Sequence, residues 1–172
     1  MDAAAERHFR EFVVARSPAL MRLAFLLTGG DRQSAEDLLQ TALAKTAARW
    51  RTVGDPDGYV RRVMYHQQVS WWRLKWRSRE TQVAVPPERA HEDDTSAVEL
   101  KITVRRALAR LTPKQRAVLV LRFFEDLPET EVARILDCSV GTVRSTTHRS
   151  LARLRELSPE LAALKNITEV RP

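Results

Sequence analysis

The stretch LTPKQRAVLVLRFFEDLPETEVARILDCSVGTVRSTTHRSLARLR, Leu111 to Arg155, contains two short helices, a tight turn and a basic third helix. Pro128 can open a helix where its missing N–H costs nothing, and Glu129 and Glu131 follow in the positively polarised first turn. Val132, Ala133, Ile135 and Leu136 supply an apolar side. Asp137-Cys138-Ser139 then interrupts the pattern with residues that bond locally to the backbone, and Ser139 is placed to cap a helix that begins near Val140. At about 100° per residue, Val140, Val143, Thr147, Leu151 and Leu154 share one side of that helix, so Thr147 is assigned to packing. Ser145, His148, Arg149 and Ala152 face the other way, flanked by Arg144 and Arg153. A charge run alone is usually a solvated face. Here it follows a short helix and a turn, and the order predicts a helix-turn-helix whose last helix suits a DNA major groove.

Upstream, Val98 to Leu111 is predicted as a helix with Val98, Leu100, Ile102, Val104, Leu108 and Leu111 as apolar contacts. Thr112 is placed to cap the next helix, with Pro113 in its first turn. Val118, Leu119, Val120, Leu121, Phe123 and Phe124 give that helix more apolar surface than a minimal helix-turn-helix requires, enough to serve core and a protein partner. Residues 80–98, ETQVAVPPERAHEDDTSAV, contain a Pro-Pro pair and an acidic run, and read as a linker able to let the flanking halves act at separated sites.

The helix expected from about Asp57 to Arg79 has one stripe of Val60, Val63, Met64, Trp71 and Leu74 directed at a core. Its reverse face carries Tyr65, Val69, Trp72 and Trp76 among Arg62, His66, Arg73 and Arg77. Flat rings interleaved with cations hold single-stranded nucleic acid by stacking and phosphate contacts. A helix covered on both sides is the plainer reading, but three arginines on that face weigh against it. Earlier still, Ser34 to Trp50 reads as a helix with Ala35, Leu38, Leu39, Ala42, Thr46 and Trp50 in one stripe and Asp37, Gln40, Thr41 and Ala44 opposite. Residues 5–27 read as a helix or helix pair, with Pro18 a possible break.

Charge follows this division. Residues 1–60 carry eight basic and eight acidic side chains, residues 61–80 six against one, residues 81–100 one against five, and residues 101–157 twelve against six. Two basic blocks separated by an acidic stretch predict two polyanion-binding surfaces within a net charge of +7. The single Cys138 excludes an internal disulfide and a cysteine zinc site, and favours a reducing, cytoplasmic setting. No window approaches the ~20 apolar residues of a membrane span, so no membrane insertion is expected. His8, His66, His91 and His148 show no metal-ligand spacing, and no phosphate loop or nucleophile motif is legible. The expectation is therefore a protein without enzymatic activity, cofactor or metal.

The ordered set AEDLLQTALAKTAARW, GDPDGYVRRVMYHQQVSWWR and the 111–155 stretch resembles the sigma factors of the extracytoplasmic function group of the sigma-70 family, with a weaker likeness to an actinobacterial sigma-E-like subgroup. The resemblance covers roughly residues 7–157. It implies an all-α chain of two small helical domains joined by a flexible linker: residues 1–79 (region 2), the linker 80–98, and residues 99–157 (region 4), a winged-helix-like four-helix domain built on the helix-turn-helix. The tail 158–172 lies outside it.

By the same resemblance, the chain would direct core RNA polymerase to promoters. Asp37, Leu38, Gln40 and Thr41 would meet the β′ coiled coil, and the apolar surface of the second half would meet the β flap. Arg62, Tyr65, His66, Trp72, Arg73, Trp76 and Arg77 would recognise and melt the −10 element; Arg144, Ser145, His148, Arg149 and Arg153 would read the −35 element. An anti-sigma factor is a further partner the resemblance admits. His66 and Thr146 depart from residues common in the family, Asn and Arg respectively, and the second departure implies a different −35 preference. An autonomous helix-turn-helix regulator is the rival reading, and the basic aromatic helix argues against it.

Overall fold

The computed structural model describes residues 3–78 and 96–159, with side chains at 3–74 and 102–159, and these residues form helices joined by turns, with no strand among them. The order is α1 (Ala3–Leu27), α2 (Arg32–Ala48), α3 (Pro56–Ser78), α4 (Ser96–Ala109), α5 (Pro113–Leu119) running into a π-helical turn (Val120–Phe124), α6 (Glu129–Leu136) and α7 (Val140–Leu157). Residues 80–95 of the expected linker, and the tail beyond Pro159, lie outside the described residues. Residues 96–98 of that linker already belong to α4.

α1 is continuous through Pro18, contrary to the expected break. Proline removes one N–H, whose acceptor four residues back is the carbonyl of Val14. Val14 is 73% exposed, so water can satisfy that carbonyl and the helix need not end. Gly29 and Gly30, both at positive φ, turn the chain into α2, where the Asp31 side chain caps the helix by accepting from the Ser34 amide at 3.1 Å. α3 begins in the same way, with Asp55 Oδ1 accepting from the Gly58 amide at 3.0 Å.

α1 packs on α2, and α2 on α3. Leu20, Leu23, Ala24 and Leu27 meet Ala35, Leu38, Ala42, Val60 and Met64 in one core, each at most 2% exposed. In the second half α7 packs on α5 and α6, with Val118, Leu119, Leu121, Val132, Ile135, Val143 and Leu154 buried. Thr112 caps α5 in a complete capping box with Gln115, and Ser139 caps α7, as the sequence predicts.

The halves are in contact and do not stand apart. α3 lies against α5 and α6, α1 touches α4, α5 and the π turn, and the buried side chains form a single cluster. Arg116, 7% exposed, ties this junction together. Its guanidinium donates to the carbonyls of Leu27 (2.7 Å), Leu108 (2.8 Å), Ala109 (2.9 Å) and Leu111 (3.0 Å), capping the ends of α1 and α4 at once. Gly29 is what admits it. A Cβ there would sit 3.1 Å from Arg116 Nη1 and 3.3 Å from the Ala109 backbone.

Candidate nucleic-acid interface

The left-handed backbone of Asp137 (φ 52°) ends α6 and turns the chain into α7. Ser139 Oγ then accepts from the Thr142 amide at 3.1 Å, fixing the first turn. The rear of α7 is Val143, Thr146, Ser150 and Leu154, all buried, while Val140, Thr147 and Leu151 are half-buried. The buried side is thus centred about one residue away from the predicted line. Thr146 is 5% exposed, so its own side chain packs against the rest of the domain and takes no part in the exposed face of α7. Ser150 Oγ donates to Thr146 O at 2.6 Å and Thr147 Oγ1 to Val143 O at 2.8 Å, which lets hydroxyls sit at the rear without loss.

The front of α7 carries Ser145, His148 and Arg149, all exposed as expected. Arg149 Nε rests on the Ser145 carbonyl at 3.2 Å. The two flanking arginines are held by carboxylates: Arg144 by Glu129 at 2.7 Å and Arg153 by Glu156 at 2.9 Å. These are exposed pairs of small energy, which phosphates can replace.

On α3 the predicted set divides. Arg62 and His66 line an open cleft of about 370 Å³, facing Ala133, Arg134, Asp137 and Cys138 of the second half. Trp72, 38% exposed, and Arg73 lie further along on the surface. Trp76 and Arg77 fall outside the residues whose side chains are described. Tyr65 does not belong to the exposed set: it is 6% exposed and part of the core. The reason is the second half, which covers this side of α3. Burial raises the Tyr65 phenol above its ordinary pKa, and Cys138 adds to the effect. Leu74, expected in the core, is 60% exposed among the described residues.

On α2, Asp37 and Gln40 are exposed and Thr41 is half-buried. Leu38 is fully buried among α1–α3, so it cannot be part of a docking face and belongs to the stripe that its spacing also predicts. Ion pairs across the junction have no signature in the sequence. Arg61 bridges Asp57 and Glu125 at 2.9 Å each, and Arg134 reaches Asp55 at 3.1 Å and Glu131 at 2.5 Å. The Asp55 carboxyl is held below its ordinary range first by the Gly58 amide and then by Arg134, against the opposing effect of burial. No sequence signal joins residues 79 positions apart.

These features define a two-part helical protein with a helix-turn-helix and a second basic helix. The sigma-70 region 4 family matches residues 101–154. The RNA polymerase sigma-E factor of Streptomyces coelicolor is 44% identical over 151 residues, 86% of this chain and 84% of that one. The ECF RNA polymerase sigma factor ShbA of Streptomyces griseus is 31% identical over 147 residues, 78% of this chain and 76% of that one. Among solved structures, the sigma factor RpoE in complex with the anti-sigma factor NepR from Bartonella quintana shares the fold at a TM-score of 0.76 and 23% identity, covering 92% of this chain and 99% of that chain. The chain belongs to the sigma-70 family of RNA polymerase sigma factors, in its extracytoplasmic function group. Among the described residues no helix is long and apolar enough to cross a membrane.

Proposed function

We propose the following division of work within a sigma factor that binds core RNA polymerase and directs it to promoters. Residues 99–157 form region 4 and residues 1–79 region 2, joined by 80–98. Ser145, His148 and Arg149 enter the −35 major groove, with Arg144 and Arg153 exchanging their carboxylates for phosphates. Arg62, His66, Trp72 and Arg73, continued by Trp76 and Arg77, hold unpaired bases of the −10 element. Asp37, Gln40 and Thr41 dock on the β′ coiled coil, and the half-buried Phe123 and Phe124 on the β flap, since Val118, Leu119, Val120 and Leu121 of the same apolar run are core. The observation that carries the assignment is the front of α7, a polar and cationic face exposed on a helix whose rear is buried.

Promoter melting in this scheme needs no hydrolysis by the chain. Separated bases are trapped by stacking at about 1–3 kcal/mol each, and duplex opening is drawn along by binding. The protein works where polymerase works, in the cytoplasm, and an anti-sigma factor is the natural antagonist of its exposed faces.

Run-off transcription with reconstituted core polymerase on a randomised promoter library tests the scheme. Transcripts should depend on the protein and share two sequence elements. Transcripts produced equally well without it would refute the function. In the same assay Trp72→Ala should leave promoter binding intact and slow open-complex formation; an unchanged opening rate would remove Trp72 from the strand-binding face.

A further inference from the structure

Three arginines serve the front of α7, and they are engaged on unequal terms. Arg149, placed to read a base, has no carboxylate partner among the described residues, and its Nε rests on the Ser145 carbonyl of its own helix. Arg144 and Arg153, placed to hold phosphates, each already hold an anion. The Arg153–Glu156 pair spans three residues of one helix with both side chains more than half exposed, so it moves with α7 and dissolves readily. Glu129 is different, because it comes from α6. Its carboxylate receives Arg144 Nε at 2.7 Å across fifteen positions of chain, and it is 30% exposed where the Arg144 side chain is 69% exposed.

We propose that Glu129 is an internal competitor for Arg144 that limits the affinity of the helix-turn-helix for duplex DNA. This deepens the reading of α7 given above and rests on it. The first helix of such a motif crosses the DNA backbone, so a carboxylate at the start of α6 stands close to the path of the phosphates. To clamp a phosphate, Arg144 must leave an anion with which it is already in contact, and the released carboxylate then faces the backbone as a like charge. Both effects weaken binding to duplex of any sequence. Arg149 bears neither cost. Base reading is left unopposed, while the sequence-independent contribution that dominates binding to arbitrary DNA is held down.

A double-mutant cycle on the full chain tests this, with Glu129→Gln, Arg144→Ala and the two combined. Glutamine keeps the shape of glutamate and both positions are outside the core, so the fold is retained. Binding of a mixed-sequence DNA duplex is titrated at about 0.05 M and about 0.3 M salt. At low salt Glu129→Gln should bind about fourfold more tightly than the unaltered chain, and the gain should shrink toward nothing at high salt, where the ion pair is already screened. In the Arg144→Ala background the same substitution should change affinity by less than about 1.5-fold.

An equal gain in both backgrounds would overturn the proposal, since Glu129 would then act as a general negative charge and not through Arg144. Unchanged affinity in Glu129→Gln, with binding weakened by Arg144→Ala, would overturn the competitor and leave the phosphate clamp standing. Unchanged affinity in Arg144→Ala would remove the clamp and its competitor together, while the run-off assay judges the sigma reading separately.

Discussion

Replacement of Arg116 by methionine removes a cation that satisfies four carbonyls at the ends of two helices while keeping most of the apolar stem. Burial lowers the Arg116 pKa to about 10, well below the ordinary guanidinium range, and so opposes the charged form by about 3 kcal/mol at about 1.4 kcal/mol per pH unit. Against this, hydrogen bonds from a charged donor contribute at least about 1.5 kcal/mol each, and the guanidinium makes four. The balance favours the arginine by about 3 kcal/mol, and Arg116→Met should lose about that amount.

For a chain of this size the loss corresponds to a melting temperature about 6–12 °C lower. Arg116→Lys, whose ammonium cannot span four acceptors, should fall between the two. Thermal and urea melting of the three proteins measure the effect. A methionine variant within about 1 kcal/mol of the original, or a lysine variant indistinguishable from it, would show that the carbonyls are satisfied without the guanidinium fork.

Three further outcomes follow from the site. Arg149→Ala should weaken binding to the −35 element by about 1–3 kcal/mol, if the guanidinium makes a bidentate base contact, and leave melting unchanged; gel-shift titration and calorimetry separate the two. Thr146→Arg should instead cost about 1–3 kcal/mol of stability, because the position is packed; an unaltered melting curve with altered promoter preference would return it to the reading face. The Asp55 and Glu131 carboxyls are held below their ordinary values, Asp55 mainly by the Gly58 amide and Glu131 mainly by Arg134, so their contribution is complete above the ordinary carboxylate range and is lost as pH falls through and below it. The melting temperature should accordingly be flat from about pH 7 to 5.5 and fall below about pH 4, with a shallower fall in Asp55→Asn; an identical slope in the variant would remove Asp55 from the linkage.

Local chemistry was legible in the sequence. Thr112 and Ser139 cap the helices they were expected to cap, because capping depends only on a hydroxyl and an amide three residues on. The front of α7 was legible for a similar reason, since helical periodicity separates Ser145, His148 and Arg149 from Val143 and Leu154. Periodicity could not show that Tyr65 is buried: α3 has apolar residues on two sides, and the second is covered by the second half of the chain. Leu38 was assigned both to a core stripe and to a docking face, and burial decides for the stripe. The role of Arg116 is not legible beside an apolar run, because a sequence does not reveal which carbonyls converge on one point.

The turn between α6 and α7 has a consequence in charge as well as in direction. Its left-handed residue is Asp137, where glycine would adopt the same backbone more easily; a left-handed non-glycine residue costs on the order of 1 kcal/mol. Aspartate therefore adds a carboxylate that the course of the chain does not require, on the wall of the cleft opposite Arg62 and His66. A negative group on a short arm beside two basic residues imitates a nucleic-acid phosphate. The turn that aims α7 thus also places a negative charge in the cleft that Arg62 and His66 of α3 line.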